Sequence, residues 1–168
     1  VTGVQTCALP ISLSKLVYLL RGSGRLEDIP AYLNSAEEEN PRAANHAGLA
    51  FCRGLYYKYI HDSVEAIKYL NLARKDGTWG CAALEHLIEI YLDADNILSE
   101  DDLNANSNLS EEEEPKFNTS TNGKMENLKV AQALLNELSQ INSDTRKQTV
   151  LNNLFLLATR NRGNVNTA

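Results

Sequence analysis

Apolar residues recur along most of the chain at intervals of three and four, with polar residues between them. This is the period of an amphipathic α-helix, in which positions i, i+3, i+4 and i+7 share one face. The helical segments are short and follow one another closely. Because a helix must cover its apolar face against another element, this pattern predicts an all-α fold of packed helix pairs.

One stretch, GLYYKYIHDSVEAIKYLNLARK, has the spacing of a tetratricopeptide repeat, a helix pair of about 34 residues. Small residues in this pattern let the two helices approach closely, and larger residues fill the space beside them. Pattern positions 8, 11, 20, 24 and 27 fall on Gly54, Tyr57, Ala66, Leu70 and Ala73. The spacing therefore assigns these residues to packing.

The same period continues on both sides of this stretch. The next repeat begins at Cys81 and places large residues at positions 4, 7 and 11, namely Leu84, Leu87 and Tyr91. An earlier repeat, three residues out of phase, carries Leu13, Leu16 and Leu20 in its first helix and Ile29, Leu33 and Ala36 in its second. We predict a tetratricopeptide-repeat α-solenoid of antiparallel helix hairpins over residues 13–96, with an unrelated helical bundle as the alternative.

An acidic segment interrupts the third repeat. Residues 97–126 hold eight acidic and two basic residues, a net charge of −6 that equals the charge of the whole chain. This polar segment offers too little apolar surface to offset its ordering entropy, so we predict a disordered insertion. The repeat array should continue over residues 127–168, with Ala131, Leu135 and Leu138 on its next helix, and we expect the array to be truncated at the end of the chain.

Composition and motifs argue against catalysis and against several ligand classes. A net charge of −6 disfavours a nucleic-acid surface, and no run of apolar residues is long enough for a membrane span. His86 with Glu85, Glu89 and Asp93 could suggest metal ligands, but one helix offers too few. The sequence GSG at residues 22–24 follows a helix and is interpreted as a turn. We predict no enzyme activity, no cofactor, no metal and no small-molecule substrate.

The first twelve residues, VTGVQTCALPIS, stand apart from the repeat pattern. They resemble the in-frame translation of a sequencing adapter oligonucleotide, joined to a helix that we expect to begin near Leu13. Residues 1–12 are therefore predicted to be an adapter-derived artefact and are set aside in the functional interpretation.

The repeats themselves resemble one family. The stretches KLVYLLRGSGRLEDIPAYLNSAEEENPRA, GLAFCRGLYYKYIHDSVEAIKYLNLARKDGTWG and ALEHLIEIYLDADN resemble the tetratricopeptide repeat protein 21 family, the repeat subunit of intraflagellar transport complex A. The resemblance implies a scaffold without catalytic residues, acting in retrograde ciliary transport and ciliary protein trafficking. It implies other complex A subunits as partners, and a location at the basal body, the axoneme and the cytoplasm.

The first helix of each repeat lines the concave side of a tetratricopeptide array, where partners bind. The residues predicted to form a partner surface there are Phe51, Leu55, Tyr59, Glu85 and Glu89. The alternative function is a tetratricopeptide co-chaperone or adaptor module that binds peptide segments. A clamp for an acidic chaperone tail needs cations on this side, and Glu85 and Glu89 would repel its carboxylates.

Overall fold

A computed structural model describes residues 5–39, 46–93, 121–141 and 145–163 of the 168-residue chain. These residues form α-helices and one 3-10 turn, so the predicted all-α fold class is confirmed. The helices are α1 (Gln5–Gly22), α2 (Ile29–Glu39), α3 (Ala47–Tyr59), α4 (Ser63–Ala73), α5 (Gly80–Leu92), α6 (Thr121–Gln140) and α7 (Thr145–Gly163), and the 3-10 turn is Leu26–Asp28. The chain forms two compact units, residues 1–86 and residues 87–168, with their boundary inside α5.

The best-packed hairpin of the first unit is formed by α3 and α4. Its second helix buries Ala66, Leu70 and Ala73 completely. Gly54 of α3 lies directly over Leu70, and a Cβ atom built on this glycine would stand 2.7 Å from the Leu70 Cγ. Only a residue without a side chain permits this approach, so the two helices are held close at this point.

Two tight turns end α1 and α3 in the same way. The amide of Asp62 donates to the Tyr57 carbonyl (2.9 Å) and the amide of His61 to the Lys58 carbonyl (3.2 Å), which is the Schellman pattern. At the end of α1, Gly24 takes the corresponding left-handed conformation, with φ 73°. His61 adopts φ 63°, which costs a residue with a Cβ more than it costs glycine. The GSG sequence is therefore a helix-terminating turn.

The turn after α3 leads directly into α4. Asp62 is the N-cap of α4, and its side chain accepts a hydrogen bond from the Glu65 amide at 3.1 Å. An aspartate in this position satisfies one of the amides that the first helical turn leaves without an intrahelical partner. One residue thus closes α3 and starts α4, which accounts for the short connection between the two helices.

The first hairpin, α1 and α2, packs against α3. Its core consists of Leu13, Val17, Leu20, Ile29, Leu33 and Ala36. An ion pair between Arg53 of α3 and Glu37 of α2 joins the two hairpins at their edge. Helix α1 begins eight residues before the predicted start near Leu13, and Pro10 lies inside it. A Cβ built on Gly48 of α3 would collide with the Pro10 Cβ, so this part of α1 lies in close contact with α3.

The second unit has its own apolar core. Helix α6 buries Leu128, Ala131, Leu134, Leu135 and Leu138, and α7 contributes Leu151. Helix α6 begins at Thr121, six residues before the predicted boundary at residue 127. Each residue added to an existing helix forms one more backbone hydrogen bond, so a helix that starts in a packed segment can extend into neighbouring polar sequence. Residues 97–120 of the predicted insertion lie outside the described residues, and its disorder stays a prediction.

Cys52 provides a test of how tightly α1 covers α3. Its thiol is fully buried and donates to the Pro10 carbonyl (Sγ to O, 3.7 Å), and burial raises its pKa to about 12. Alkylation requires the thiolate. In a Cys7→Ser chain at pH 8, we expect iodoacetamide to modify Cys81 about a hundredfold faster than Cys52, or more, as measured by mass spectrometry.

Denaturant should abolish this difference, since both thiols then have similar pKa values and equal access to the reagent. Modification of native Cys52 as fast as Cys81 would contradict the close packing of α1 on α3.

Candidate interaction surface

Most of the residues assigned to repeat packing are buried. Ala66, Leu70 and Ala73 are fully buried in α4, and Gly54 is buried against Leu70. On α5, Leu84 and Leu87 are fully buried and Tyr91 is nearly so. Tyr57 is half-buried and stacks on Tyr69, with ring centroids 5.5 Å apart and planes 4° from parallel.

Two of the five residues predicted for a partner surface lie in the core. Phe51 is 2% exposed and Leu55 is 0% exposed, so neither offers its side chain to a partner. Phe51 packs against the rings of Trp79 (5.1 Å) and His86 (5.8 Å), because the first turns of α5 lie over this part of α3. Sequence spacing gave the correct helix, but the neighbouring helix covers the side that was expected to be open.

The other three predicted residues lie at accessible positions. Tyr59 is half-buried near the end of α3, and Glu85 is half-buried on α5. The Glu85 carboxylate accepts a weak hydrogen bond from the Cys81 thiol, with Sγ and Oε1 3.8 Å apart. Glu89, in the second unit, is exposed. A partner role for these three residues stays a prediction.

The structure brings together a different set of side chains around Tyr59. The guanidinium of Arg21 stacks over the Tyr59 ring at 4.4 Å, and Tyr18 meets the same ring edge-on with centroids 6.4 Å apart. Tyr18 and Arg21 are one turn apart on α1 and therefore share a face. Tyr18 is 42% exposed and Arg21 is exposed, so the cluster lies at the surface.

His86 extends this cluster from α1 and α3 to α5. Its Nε2 lies 3.1 Å from the Tyr18 hydroxyl, and its Nδ1 lies 2.9 Å from the Lys58 ammonium. An ammonium can only donate, so Nδ1 accepts and the ring proton sits on Nε2, which donates to Tyr18. We call Tyr18, Arg21, Lys58, Tyr59 and His86 together the Tyr18–Tyr59 surface.

Sequence reasoning did not identify this surface as a unit. The sequence pattern suggests His86 only as a metal ligand and does not single out Tyr18, Arg21 or Lys58. One signal was available: α1 and α3 together hold four basic residues and no acidic residue in a chain of net charge −6. The contacts between the helices were needed to show which of these cations lie together.

A second group of aromatic and basic side chains surrounds Tyr69 on α4. Arg53 and Lys68 lie over its ring at 5.9 Å and 5.5 Å, and Tyr57 stacks on it. Burial raises the pKa of Tyr57, and the neighbouring Tyr69 adds to this rise. Arg53 is already engaged by Glu37, so this group ties α2, α3 and α4 together.

The described parts of the chain show neither a cluster of metal ligands nor a helix that could span a membrane. Within residues 5–39, 46–93, 121–141 and 145–163, no three His, Cys, Asp or Glu side chains are grouped as a metal ion would require. Over the same ranges, none of the helices combines the length and apolar character needed to cross a bilayer.

Comparison with known proteins shows that the repeat pattern matches a protein family. A family model described as the TT21 fifth ARM repeats domain matches residues 8–92, which is about half of the chain. The chain belongs to the tetratricopeptide repeat protein 21 family. The model's name refers to ARM repeats and the family's name to tetratricopeptide repeats, and both are arrays of short stacked helices.

Individual family members match over most of this chain. Tetratricopeptide repeat protein 21A of Homo sapiens is 36% identical over 161 residues, and protein 21B of Homo sapiens is 34% identical over 160 residues. The first match covers 93% of this chain and the second 94%, but each covers only 12% of the relative. A homologue from Caenorhabditis elegans is 33% identical over 86 residues, 51% of this chain and 6% of the relative. The chain thus spans about an eighth of the length of the curated human relatives it matches.

Proposed function

We propose that this chain is a non-catalytic scaffold segment of an intraflagellar transport complex A subunit. It serves retrograde ciliary transport and ciliary protein trafficking by making protein contacts. Its partners are other complex A subunits, and its location is the basal body and axoneme of the cilium together with the cytoplasm. Membership of the tetratricopeptide repeat protein 21 family is the observation that carries this proposal.

The structure supports a scaffold role in its use of side chains. The residues at the repeat positions of α3 and α4 pack between the helices, as Gly54 does against Leu70. A protein whose distinctive residues hold helices in register presents its remaining surface to partners. In the first unit, that surface carries the exposed tyrosine and arginine side chains of the Tyr18–Tyr59 surface.

A chimera tests this function directly. In ciliated human cells that lack their own protein 21B, the aligned segment of full-length protein 21B would be replaced by this chain and the product tagged. We expect other complex A subunits to copurify with the chimera, as detected by mass spectrometry. We also expect a basal body and axonemal signal by fluorescence microscopy.

Two glycine variants of the chimera control for folding. Gly54→Leu places a side chain against Leu70, whereas a Cβ at Gly77 meets nothing within 4 Å. The Gly77→Leu chimera should still copurify with the other subunits. The Gly54→Leu chimera should lose them, because Gly54→Leu disrupts helix packing and Gly77→Leu does not. Recovery of chaperones alone with a diffuse cytosolic signal would overturn the proposal and favour a co-chaperone or adaptor module.

A further inference from the structure

We propose that the Tyr18–Tyr59 surface is a docking site for a short acidic segment of a partner protein. The segment would carry Asp or Glu side chains next to an aromatic or aliphatic residue. The proposal concerns this chain alone and does not depend on the ciliary assignment, because binding to α1 and α3 can be measured without other subunits.

The geometry provides both an apolar platform and a cation. Tyr18 is exposed and Tyr59 is half-buried, and the guanidinium carbon of Arg21 lies over the Tyr59 ring, 4.4 Å from its centroid. A guanidinium in contact with an aromatic ring still has N–H donors, and a carboxylate can accept two hydrogen bonds from them. An aromatic or aliphatic side chain of the partner would pack beside Tyr18, which is 42% exposed.

The distribution of charge selects an acidic partner. Helix α1 carries Lys15 and Arg21, and α3 carries Arg53 and Lys58, without an acidic residue in either helix. Arg53 is paired with Glu37 at the edge with α2, but Lys15 and Arg21 are exposed on α1. Helix α5 adds His86 and also carries Glu85 beside it, so the partner's carboxylates should face α1.

A protein segment fits better than an extended polyanion. A few local cations can bind a short acidic sequence, whereas binding to nucleic acid or to an anionic membrane rests on a larger number of basic residues. Tyrosine and arginine are also the residue types most enriched at the energetic centres of protein interfaces. The surface therefore matches a peptide in both charge and composition.

The test begins with selection of binding peptides. The whole chain is immobilised and a phage library of random twelve-residue peptides is selected on it at low salt. We expect the selected peptides to be enriched in Asp and Glu beside Phe, Tyr, Trp or Leu. Their affinity, measured by fluorescence anisotropy with synthetic copies, should fall as sodium chloride rises from about 50 mM to about 500 mM.

Charge reversal then locates the site. Arg21→Glu should weaken binding of the selected peptides about tenfold or more, because it removes a cation and places a repulsive charge there. Arg21→Lys should weaken it less, since lysine keeps the charge but cannot donate two parallel hydrogen bonds to a carboxylate as a guanidinium does. Lys75→Glu is the matched control: Lys75 is exposed after α4, outside the surface, and its reversal should leave affinity within about twofold.

Each other outcome overturns the proposal. Selected peptides without an acidic excess, equal loss with Lys75→Glu, or no selected peptide at all would exclude an acidic segment as the occupant. Phosphatidylserine vesicles and a duplex DNA oligonucleotide form parallel arms. If no peptide binds, but the vesicles or the DNA bind and Arg21→Glu abolishes that binding, the surface would be assigned to that ligand.

Discussion

Replacing Leu70 by alanine should lower the free energy of unfolding by about 2 to 5 kcal/mol. Leu70 is fully buried between α3 and α4, and its side chain lies against Gly54. Glycine has no atoms with which to fill the space that the truncated side chain would leave. The cost therefore combines the lost burial of the leucine carbons with the cavity that remains.

Leu72 in the same helix is the matched control. It is 62% exposed, so Leu72→Ala removes the same atoms from a position largely in contact with water. Its unfolding free energy should change by no more than about 0.5 kcal/mol. Urea unfolding followed by circular dichroism measures both variants, and similar midpoints for the two would contradict the α3–α4 hairpin described above.

A larger side chain at Gly54, opposite Leu70, should also lower the free energy of unfolding. Gly54→Leu is expected to cost about 3 kcal/mol, because its Cβ alone would stand 2.7 Å from the Leu70 Cγ and 3.2 Å from the Leu70 amide nitrogen. Side-chain movement can relieve the first contact but not the second, so α3 and α4 would have to separate. The same urea unfolding experiment measures this variant.

Two further variants make this second prediction specific. Gly77→Leu adds the same side chain where a Cβ meets nothing within 4 Å, and it should change stability little. The double variant Gly54→Leu with Leu70→Ala should lose less than the sum of the single losses, because the alanine makes room for the new leucine. Additive losses would show that the two residues do not share this contact.

Local sequence accounts for most of the helical framework. The three-and-four spacing of apolar residues predicted the all-α class, and the residues it placed at buried positions of α4 are those that pack against α3. The turn at Gly24 could also be predicted from the sequence, because glycine after a helix favours the left-handed conformation that ends the helix. Each of these features depends on residues close together in the chain.

Helix ends were less predictable. Helix α1 extends back to Gln5 and α6 extends back to Thr121, beyond the boundaries that composition suggested. Packing with another helix extends a helix into weakly helical sequence, and that packing involves residues distant along the chain. Pro10 illustrates this, since its contact with Gly48 spans the whole first hairpin. Whether residues 1–12 derive from an adapter stays a separate prediction.

The sequence by itself determined which residues of α4 are buried, because helical periodicity and residue size are local properties of the chain. Only the tertiary structure decided which of the helix faces stay open to a partner. Phe51 and Leu55 have the spacing of concave positions, yet both are buried, and the rings of Trp79 and His86 pack on Phe51. Tyr18 and Arg21 come together with Tyr59 because packing of α1 on α3 joins residues about 40 positions apart, a distance over which periodicity carries no information.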